Sequence, residues 1–328
     1  MKLATLSCAG IVSGCAVGGQ GRSEDLSYLK YGATRKFRMK FTPRLGMGYK
    51  STAGKNMLQR MDFFRDAGFT AVEGAVFVVH NGADYGEKEK QFQLELGRHA
   101  RALGLEMGNV SSMNEKDFAM MAEFQMPVKG KAVFSKDGVR EELYRRMDKT
   151  FGVLERIGSK TFIIGAGTRG ERLPYLKQLD NVVENMSMCA KYARGRGFVM
   201  EIEPLCTQAH PGIFINTASL GAEIAAAVDN TSCRILLDVF HEQMQTGSLA
   251  SLDDDNVWRY IESFHLADAP TRKEPTTGVI DFPRVLKKIW DRGFRGFIGL
   301  EHGQSVASKE RDMQILQIYR DLDTVIDA

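Results

Sequence analysis

Four short apolar runs in the second half of the chain each end in a side chain that can bind a metal ion. The runs end at Glu203, Asp238, His265 and Glu301. About 30 residues separate each of these from the next, which is enough for one helix and its loops before the chain returns as a parallel strand. The carboxyl ends of the strands of a parallel barrel open on one face, so the four groups are expected to converge there.

The same alternation of short strand-like runs and longer helical patterns extends over most of the chain. Eight strand–helix repeats begin with a strand predicted at 44–49, and no glycine-rich dinucleotide or P-loop motif follows it. Eight repeats in about 280 residues predict an α/β fold with one domain, a (β/α)₈ TIM barrel over residues 44–328. Residues 112–138 break the pattern, and we predict a long loop or lid there, or else a wrongly assigned element.

The first 43 residues differ from the rest. After Lys2 the chain is apolar and small-residue-rich up to Val17, and residues 12–15 (VSGC) resemble a bacterial lipobox. Residues 1–19 are therefore a candidate signal or lipoprotein segment, followed by a linker over residues 20–43. An exported, periplasmic or lipid-anchored protein is the interpretation we favour, and a cytoplasmic protein with an N-terminal tail is the alternative.

Composition limits the partners. With 43% hydrophobic and 26% charged residues the 328-residue chain can bury a full core. The net charge of +3 comes without a dense basic patch, which argues against nucleic acid. The five cysteines form no C-x-x-C pair, so neither a disulfide framework nor a zinc finger is expected. We expect a small-molecule partner, membrane contact only through a lipidated N-terminus, and possible assembly into a homo-oligomer.

Three carboxylates and one imidazole form a recognisable ligand set. Glu203, Asp238 and Glu301 offer hard oxygen atoms and His265 offers one nitrogen, a mixture that suits one divalent ion such as Mg²⁺, Mn²⁺, Co²⁺ or Zn²⁺. Without a cation the three carboxylates would repel one another, and at least one would take up a proton. The competing interpretation is that each acidic residue only caps the helix that follows it.

Three further residues are candidates for substrate contact. His241 lies three residues after Asp238 and could hydrogen-bond a substrate oxygen, or it could be a capping or surface histidine. Arg272, in a proline-bounded loop, could hold a substrate carboxylate or hydroxyl, although a loop arginine is more often solvated. Glu73 ends the second predicted strand, where it could contact substrate or a neighbouring loop, or have a purely structural role.

Several motifs resemble those of the xylose isomerase-like barrel superfamily of sugar isomerases and epimerases, and within it most closely those of the hydroxypyruvate isomerase family. The resemblance covers roughly residues 44–326, and the second half carries nearly all of its specificity. Its motifs are 71–74 (AVEG), 202–205 (IEPL), 211–214 (PGIF), 237–243 (LDVFHEQ), 265–270 (HLADAP) and 296–301 (GFIGLE).

The resemblance implies roles for the candidate residues. Positions matching His241 and Arg272 contact substrate in that superfamily, and one divalent metal is held by the positions matching Glu203, Asp238, His265 and Glu301. Family hydroxypyruvate isomerases often carry glutamine at the third ligand position, whereas ketose 3-epimerases carry histidine, as this chain does at His265.

The reaction that the resemblance implies is proton transfer. We expect a metal-dependent isomerase of a small α-hydroxy-carbonyl compound, similar to hydroxypyruvate isomerase, that acts through a metal-stabilised enediolate. Glu203 and Glu301 would serve as base and acid as well as ligands. The alternatives are a ketose 3-epimerase, or a lyase or glycosidase acting on oxidised (3-keto) sugars.

Overall fold

A computed structural model describes residues 35–74, 86–111, 121–128 and 131–327. Strands and helices alternate along these residues. The strands are β1 (Phe41–Pro43), β2 (Ala71–Val72), β3 (Glu106–Met107), β4 (Val110–Ser111), β5 (Gln125–Val128), β6 (Lys131–Phe134), β7 (Thr161–Ile164), β8 (Val199–Ile202), β9 (Cys233–Asp238), β10 (Ile261–Leu266) and β11 (Ile298–Leu300). The helices are α1 (Met57–Asp66), α2 (Glu87–Leu103), α3 (Lys136–Ile157), α4 (Tyr175–Gly195), α5 (Ala218–Val228), α6 (Val239–Thr246), α7 (Asp255–Trp258), α8 (Phe282–Asp291) and α9 (Lys309–Leu322).

Parallel strands form a closed barrel. Seven of them pair in the order β1-β11-β10-β9-β8-β7-β4, and β2 pairs with β3, which directly precedes β4 in the chain. A parallel bridge between Arg44 and Glu73 joins the end of β1 to the end of β2 and closes the ring. Since β3 and β4 occupy one position, the ring has eight positions, which confirms the predicted (β/α)₈ barrel.

The local sequence explains where helices begin and end. Ser135, Thr217 and Ser308 each cap a helix N-terminus, with the side chain accepting a backbone N–H of the first turn. Gly104 and Gly158 end α2 and α3 in the left-handed conformation that favours glycine. Strands covered on both faces should be buried along their whole length, and all four residues of β7 are buried.

The first strand lies earlier than predicted. It occupies residues 41–43 rather than 44–49, so the end of the segment predicted as a linker, residues 20–43, belongs to the barrel. Phe37 and Met39 are buried, and the Asp323 carboxylate accepts the backbone N–H of Met39. This strand is only three residues long and has charged residues on either side, so the sequence shows no apolar run long enough to predict it.

The predicted 112–138 loop is also partly wrong. Within it, β5 and β6 pair as an antiparallel hairpin, and α3 begins at Lys136 rather than near residue 139. Residues 112–120 lie outside the described part of the chain.

The candidate signal or lipoprotein segment, residues 1–19, also lies outside the described residues, so export and lipid anchoring stay predictions. Among the described helices, none is both long and apolar enough to cross a membrane.

A polar cluster fills the barrel interior beneath the strand ends. Glu201, on β8, is fully buried, and its Oε2 lies in hydrogen-bond contact with Ser263 of β10 and with Asn109 Nδ2 at 3.3 Å. Burial raises the pKa of Glu201 to about 8, and the hydrogen bond from Ser263 only partly opposes this effect. The buried carboxyl is therefore largely protonated at neutral pH.

The stability of Glu201→Gln relative to the wild type should increase as the pH rises. An unfolded glutamate ionises above its ordinary pKa of 4.5, whereas folded Glu201 holds its proton to about pH 8, so wild-type stability falls across this window. We expect similar unfolding free energies at pH 4.5 and a variant more stable by roughly 1–3 kcal/mol at pH 8, measured by urea denaturation. Glu106→Gln, at an exposed carboxylate on β3, is the control. A pH-independent difference for Glu201→Gln would show that Glu201 is ionised in the fold.

Candidate metal centre

The four predicted ligands converge at one end of the barrel. Asp238 is the last residue of β9, His265 lies in β10, and Glu203 and Glu301 directly follow β8 and β11. In the strand register His265 lies beside Asp238 on one side and beside Gly299 on the other. One ligand atom from each of the four residues lies within 4.8 Å of the others. The spacing of the apolar runs therefore predicted the cluster.

The polar atoms of this cluster lack the partners that buried groups normally have. The side chains of Asp238 and His265 are fully buried, and those of Glu203 and Glu301 are 13% and 15% exposed. Four ligand atoms make no hydrogen bond of acceptable geometry among the described residues, although two of them, on His265 and Glu301, are only 2.7 Å apart. The four atoms are Glu203 Oε1, Asp238 Oδ2, His265 Nδ1 and Glu301 Oε2. Such unpaired buried groups are rare and call for an explanation. A cation at their centre would satisfy all four.

The charges of the cluster also favour a bound cation. Burial, then the negative charge of Glu301, raises the pKa of Asp238. Glu301 keeps a pKa well below its ordinary value, because Arg44 and His265 outweigh the effect of burial. A divalent ion would relieve the need for Asp238 to hold a proton, so the residues present fit such an ion.

The helix-cap interpretation applies to one of the acidic residues. Asp238 Oδ1 accepts the backbone N–H of Phe240 at 2.8 Å and caps α6, while its Oδ2 stays unbonded. Thr217 and Ser308 cap α5 and α9, the helices that follow Glu203 and Glu301. Capping and metal binding are compatible at Asp238, because they use different oxygens.

The imidazole of His265 turns its two nitrogens to different partners. Nδ1 faces the ligand cluster, 2.7 Å from Glu301 Oε2 and 3.6 Å from Glu203 Oε1. Nε2 lies 3.2 Å from Glu73 Oε1. Burial opposes the charged form of His265, but Glu73 and Glu301 outweigh it and raise its pKa well above the ordinary value. Nδ1 is thus the nitrogen placed to bind a metal.

His241 lies beside the cluster, as predicted. Its Nδ1 accepts the backbone N–H of Cys206 at 3.2 Å, and its Nε2, 3.7 Å from Asp238 Oδ2, makes no hydrogen bond among the described residues. Burial, followed by the charge of Arg272, lowers the pKa of His241 to about 2. His241 is therefore neutral with its proton on Nε2, which gives the site one hydrogen-bond donor.

Arg272 reaches the same cluster from the loop after β10. Its Nη2 lies 3.6 Å from Glu301 Oε1 and 4.0 Å from Asp238 Oδ2, and its guanidinium lies over the Phe240 ring. The side chain is 34% exposed, so it faces both the cluster and the opening of the site. The residue adopts φ 50°, an uncommon conformation for arginine that the loop must hold in place.

A buried aspartate organises this loop. The Asp268 carboxylate accepts the backbone N–H groups of Ala269 and Ile280 at Oδ1, and those of Thr277 and Gly278 at Oδ2. The Asp268 carbonyl also accepts the N–H of Arg272 at 2.7 Å. The loop that carries Arg272 is thus folded around one fully buried carboxylate, a role that the sequence pattern did not indicate.

Arg44 is a site residue that we missed from the sequence. Its Nη1 contacts Glu301 Oε1 at 2.5 Å, and its Nε and Nη2 each lie 2.9 Å from Glu73 Oε1. Arg44 follows β1 directly, as Glu301 follows β11. The strand-end rule that found the ligands would have found Arg44 too, had the first strand been placed correctly.

Glu73 is located behind the ligands. It is 1% exposed, and its carboxylate contacts Arg44 and His265. Of the roles considered from the sequence, this position favours a supporting role over substrate contact.

Comparison with known proteins agrees with this geometry. The family model described as xylose isomerase-like TIM barrel matches residues 61–319. A 2-oxo-tetronate isomerase of Cupriavidus necator is 28% identical over 120 residues, which cover 37% of this chain and 46% of the relative. A putative hydroxypyruvate isomerase of Drosophila melanogaster is 27% identical over 174 residues, covering 52% and 64% respectively. The matches therefore span about half to two thirds of the length of these relatives.

Solved structures share the fold. An AP endonuclease of family 2 from Brucella melitensis superposes with a TM-score of 0.66 at 20% identity, covering 86% of this chain and 99% of that one. A 3-keto-D-glucoside 4-epimerase from E. coli, in its apo form, gives 0.64 at 16% identity, covering 87% and 99%. At these identities the likeness concerns the barrel itself.

Asp268→Asn should unfold the protein more easily. An asparagine can accept at one oxygen only, so two of the four loop N–H groups would face an NH₂ group. We expect a loss of about 2–4 kcal/mol in unfolding free energy, measured by urea denaturation. Asp281→Asn is the matched control, because Asp281 caps α8 at an exposed position where asparagine serves equally well. Equal stability of the two variants would refute the organising role of Asp268.

Proposed function

Because the chain belongs to the xylose isomerase-like TIM barrel family, we propose that it is a metal-dependent isomerase of a small α-hydroxy-carbonyl compound, similar to hydroxypyruvate isomerase. The observation that carries this proposal is the convergence of four ligand atoms within 4.8 Å. A divalent ion held by Glu203, Asp238, His265 and Glu301 would supply Lewis-acid stabilisation of negative charge on substrate oxygens.

The protein's own groups supply proton transfer. Glu203 and Glu301 are partly exposed at the opening of the site, whereas Asp238 is fully buried, so the two glutamates are the carboxylates that substrate can approach. Glu203 and Glu301 would serve as base and acid: one removes a carbon-bound proton and the other returns a proton to carbon.

Two side chains would orient the substrate. The Nε2–H of neutral His241 donates a hydrogen bond towards the space in front of Asp238. The guanidinium of Arg272 binds a carboxylate or a pair of hydroxyls in a fork. One donor lies in α6 and the other on the loop after β10, so together they would hold a short substrate at two points and limit its possible orientations.

The relatives support one substrate class. Hydroxypyruvate and 2-oxo-tetronate isomerases are named among them, which supports a small hydroxy-carbonyl acid whose carboxylate Arg272 would hold. A ketose 3-epimerase is the second candidate. It is favoured by His265, a histidine at the third ligand position. Export and assembly into a homo-oligomer stay predictions.

Asp238→Ala should abolish stoichiometric metal binding. The variant removes a fully buried ligand whose free oxygen points into the cluster. We expect wild-type protein loaded with Mn²⁺ or Co²⁺ to retain about one ion per chain after dialysis, and the variant to retain almost none, by elemental analysis. Asp254→Ala, at an exposed helix cap, is the control. Full retention of metal by Asp238→Ala would exclude the ligand set.

Metal-loaded protein in D₂O should incorporate deuterium at carbon in its substrate. NMR would follow hydroxypyruvate, several ketoses and a 3-keto-glycoside, and the position of the label distinguishes isomerisation from epimerisation. Glu203→Gln and Glu301→Gln should each lower the exchange rate by about 10²–10⁴-fold, while Glu106→Gln leaves it unchanged. Absence of exchange with all of these compounds would argue strongly against enediolate chemistry.

A further inference from the structure

We infer that Glu73 is a positioning residue for the metal ligand His265: its carboxylate engages Nε2 and thereby directs Nδ1 into the ligand cluster. This inference rests on the proposed metal site and adds to it a residue that contacts a ligand rather than the metal. Metal-binding histidines commonly donate their other ring N–H to a carboxylate, which fixes the tautomer and the ring orientation and raises ligand basicity.

The contacts of Glu73 support this role over the two alternatives. The residue is 1% exposed, and its Oε1 is already engaged by Arg44 and His265, whereas the equally buried His241 has an Nε2 without a hydrogen-bond partner among the described residues. Its carboxylate is not a member of the four-residue ligand group. Its Oε1 lies 3.2 Å from His265 Nε2, at ion-pair distance but without the geometry of a hydrogen bond, and this nitrogen points away from Glu203 and Glu301. Among the described residues, the ligand that Glu73 contacts directly is therefore His265, at the back of its imidazole.

Gly299 makes the contact possible. Glu73 directly follows β2, and His265 lies in β10. Gly299, in β11, pairs with His265 in the strand register. A Cβ atom built at Gly299 would lie closer than 3.0 Å to Glu73 Oε2 and to His265 Cδ2. Gly299 has no positive φ, so its backbone does not require glycine. The missing side chain leaves the space in which carboxylate and imidazole meet.

Arg44 holds the carboxylate in this space. Its Nε and Nη2 both lie 2.9 Å from Glu73 Oε1, while its Nη1 contacts the ligand Glu301. The guanidinium is 6% exposed, so this ion pair lies almost entirely inside the protein. One arginine thus fixes the distance between a metal ligand and the residue that orients another.

Glu73→Gln tests the inference through metal affinity, with Co²⁺ as the probe. We expect the Kd for Co²⁺, measured by competition with a chelator, to rise about 10- to 100-fold, and the visible Co²⁺ absorption bands to shift. Gly299→Ala keeps every charge but crowds the contact, and it should weaken Co²⁺ binding in the same direction. Because Gly299→Ala retains the Arg44–Glu73 ion pair, this variant still tests the inference if Glu73→Gln fails to fold.

Glu274→Gln is the matched control. Glu274 is a fully buried glutamate paired with Arg311, as Glu73 is paired with Arg44, but it contacts Ser305 rather than a ligand. The inference predicts wild-type Co²⁺ affinity for this variant. It is overturned if Glu73→Gln and Gly299→Ala bind Co²⁺ within twofold of wild type, or if Glu274→Gln loses as much affinity. A wild-type protein that binds no metal would instead overturn the proposed function.

Discussion

The structure depends on the balance of charge at the carboxyl ends of the barrel strands. Four carboxylates lie there close together or share ion-pair partners: those of Glu73, Glu203, Asp238 and Glu301. The guanidinium groups of Arg44 and Arg272 face them. Metal binding requires His265 to be neutral and all four carboxylates to be ionised, and two negative charges then remain, which is the charge of one divalent ion. Without the ion, the raised pKa values of His265 and Asp238 mean that protons offset this charge instead. Burial makes this imbalance far more unfavourable than it would be in water.

The barrel and its loops contribute differently to this balance. Strand register brings Asp238, His265 and the residue after β11 to one level, so the ligand positions follow from backbone pairing alone. Arg272, by contrast, is carried by a loop that depends on the hydrogen bonds of Asp268. The metal cluster is therefore expected to be the more rigid part, and the substrate-binding groups the part that varies with loop sequence.

The convergence of the four residues could be predicted from the sequence because a strand of a parallel barrel places the residue at its carboxyl end on one known face. Asp238 and His265 each end or nearly end an apolar run, and an apolar run of this kind is buried only if it lies in the barrel wall. Arg44 escaped this reasoning because β1 is three residues long and lies between charged residues.

The roles of Asp268 and Glu73 could not be predicted from the sequence for a different reason. Asp268 accepts N–H groups from residues up to twelve positions away, and Glu73 meets His265 from a distant strand through the space left by Gly299. Such contacts arise from tertiary packing, and no local periodicity encodes them.

We expect one divalent ion to balance these charges at the four strand-end ligands. Anomalous diffraction from crystals of the full chain grown with Mn²⁺ tests it most directly. The account predicts a single strong peak bound by Glu203, Asp238 through Oδ2, His265 through Nδ1 and Glu301. A peak elsewhere, ligation of His265 through Nε2, or no peak at saturating Mn²⁺ would contradict it.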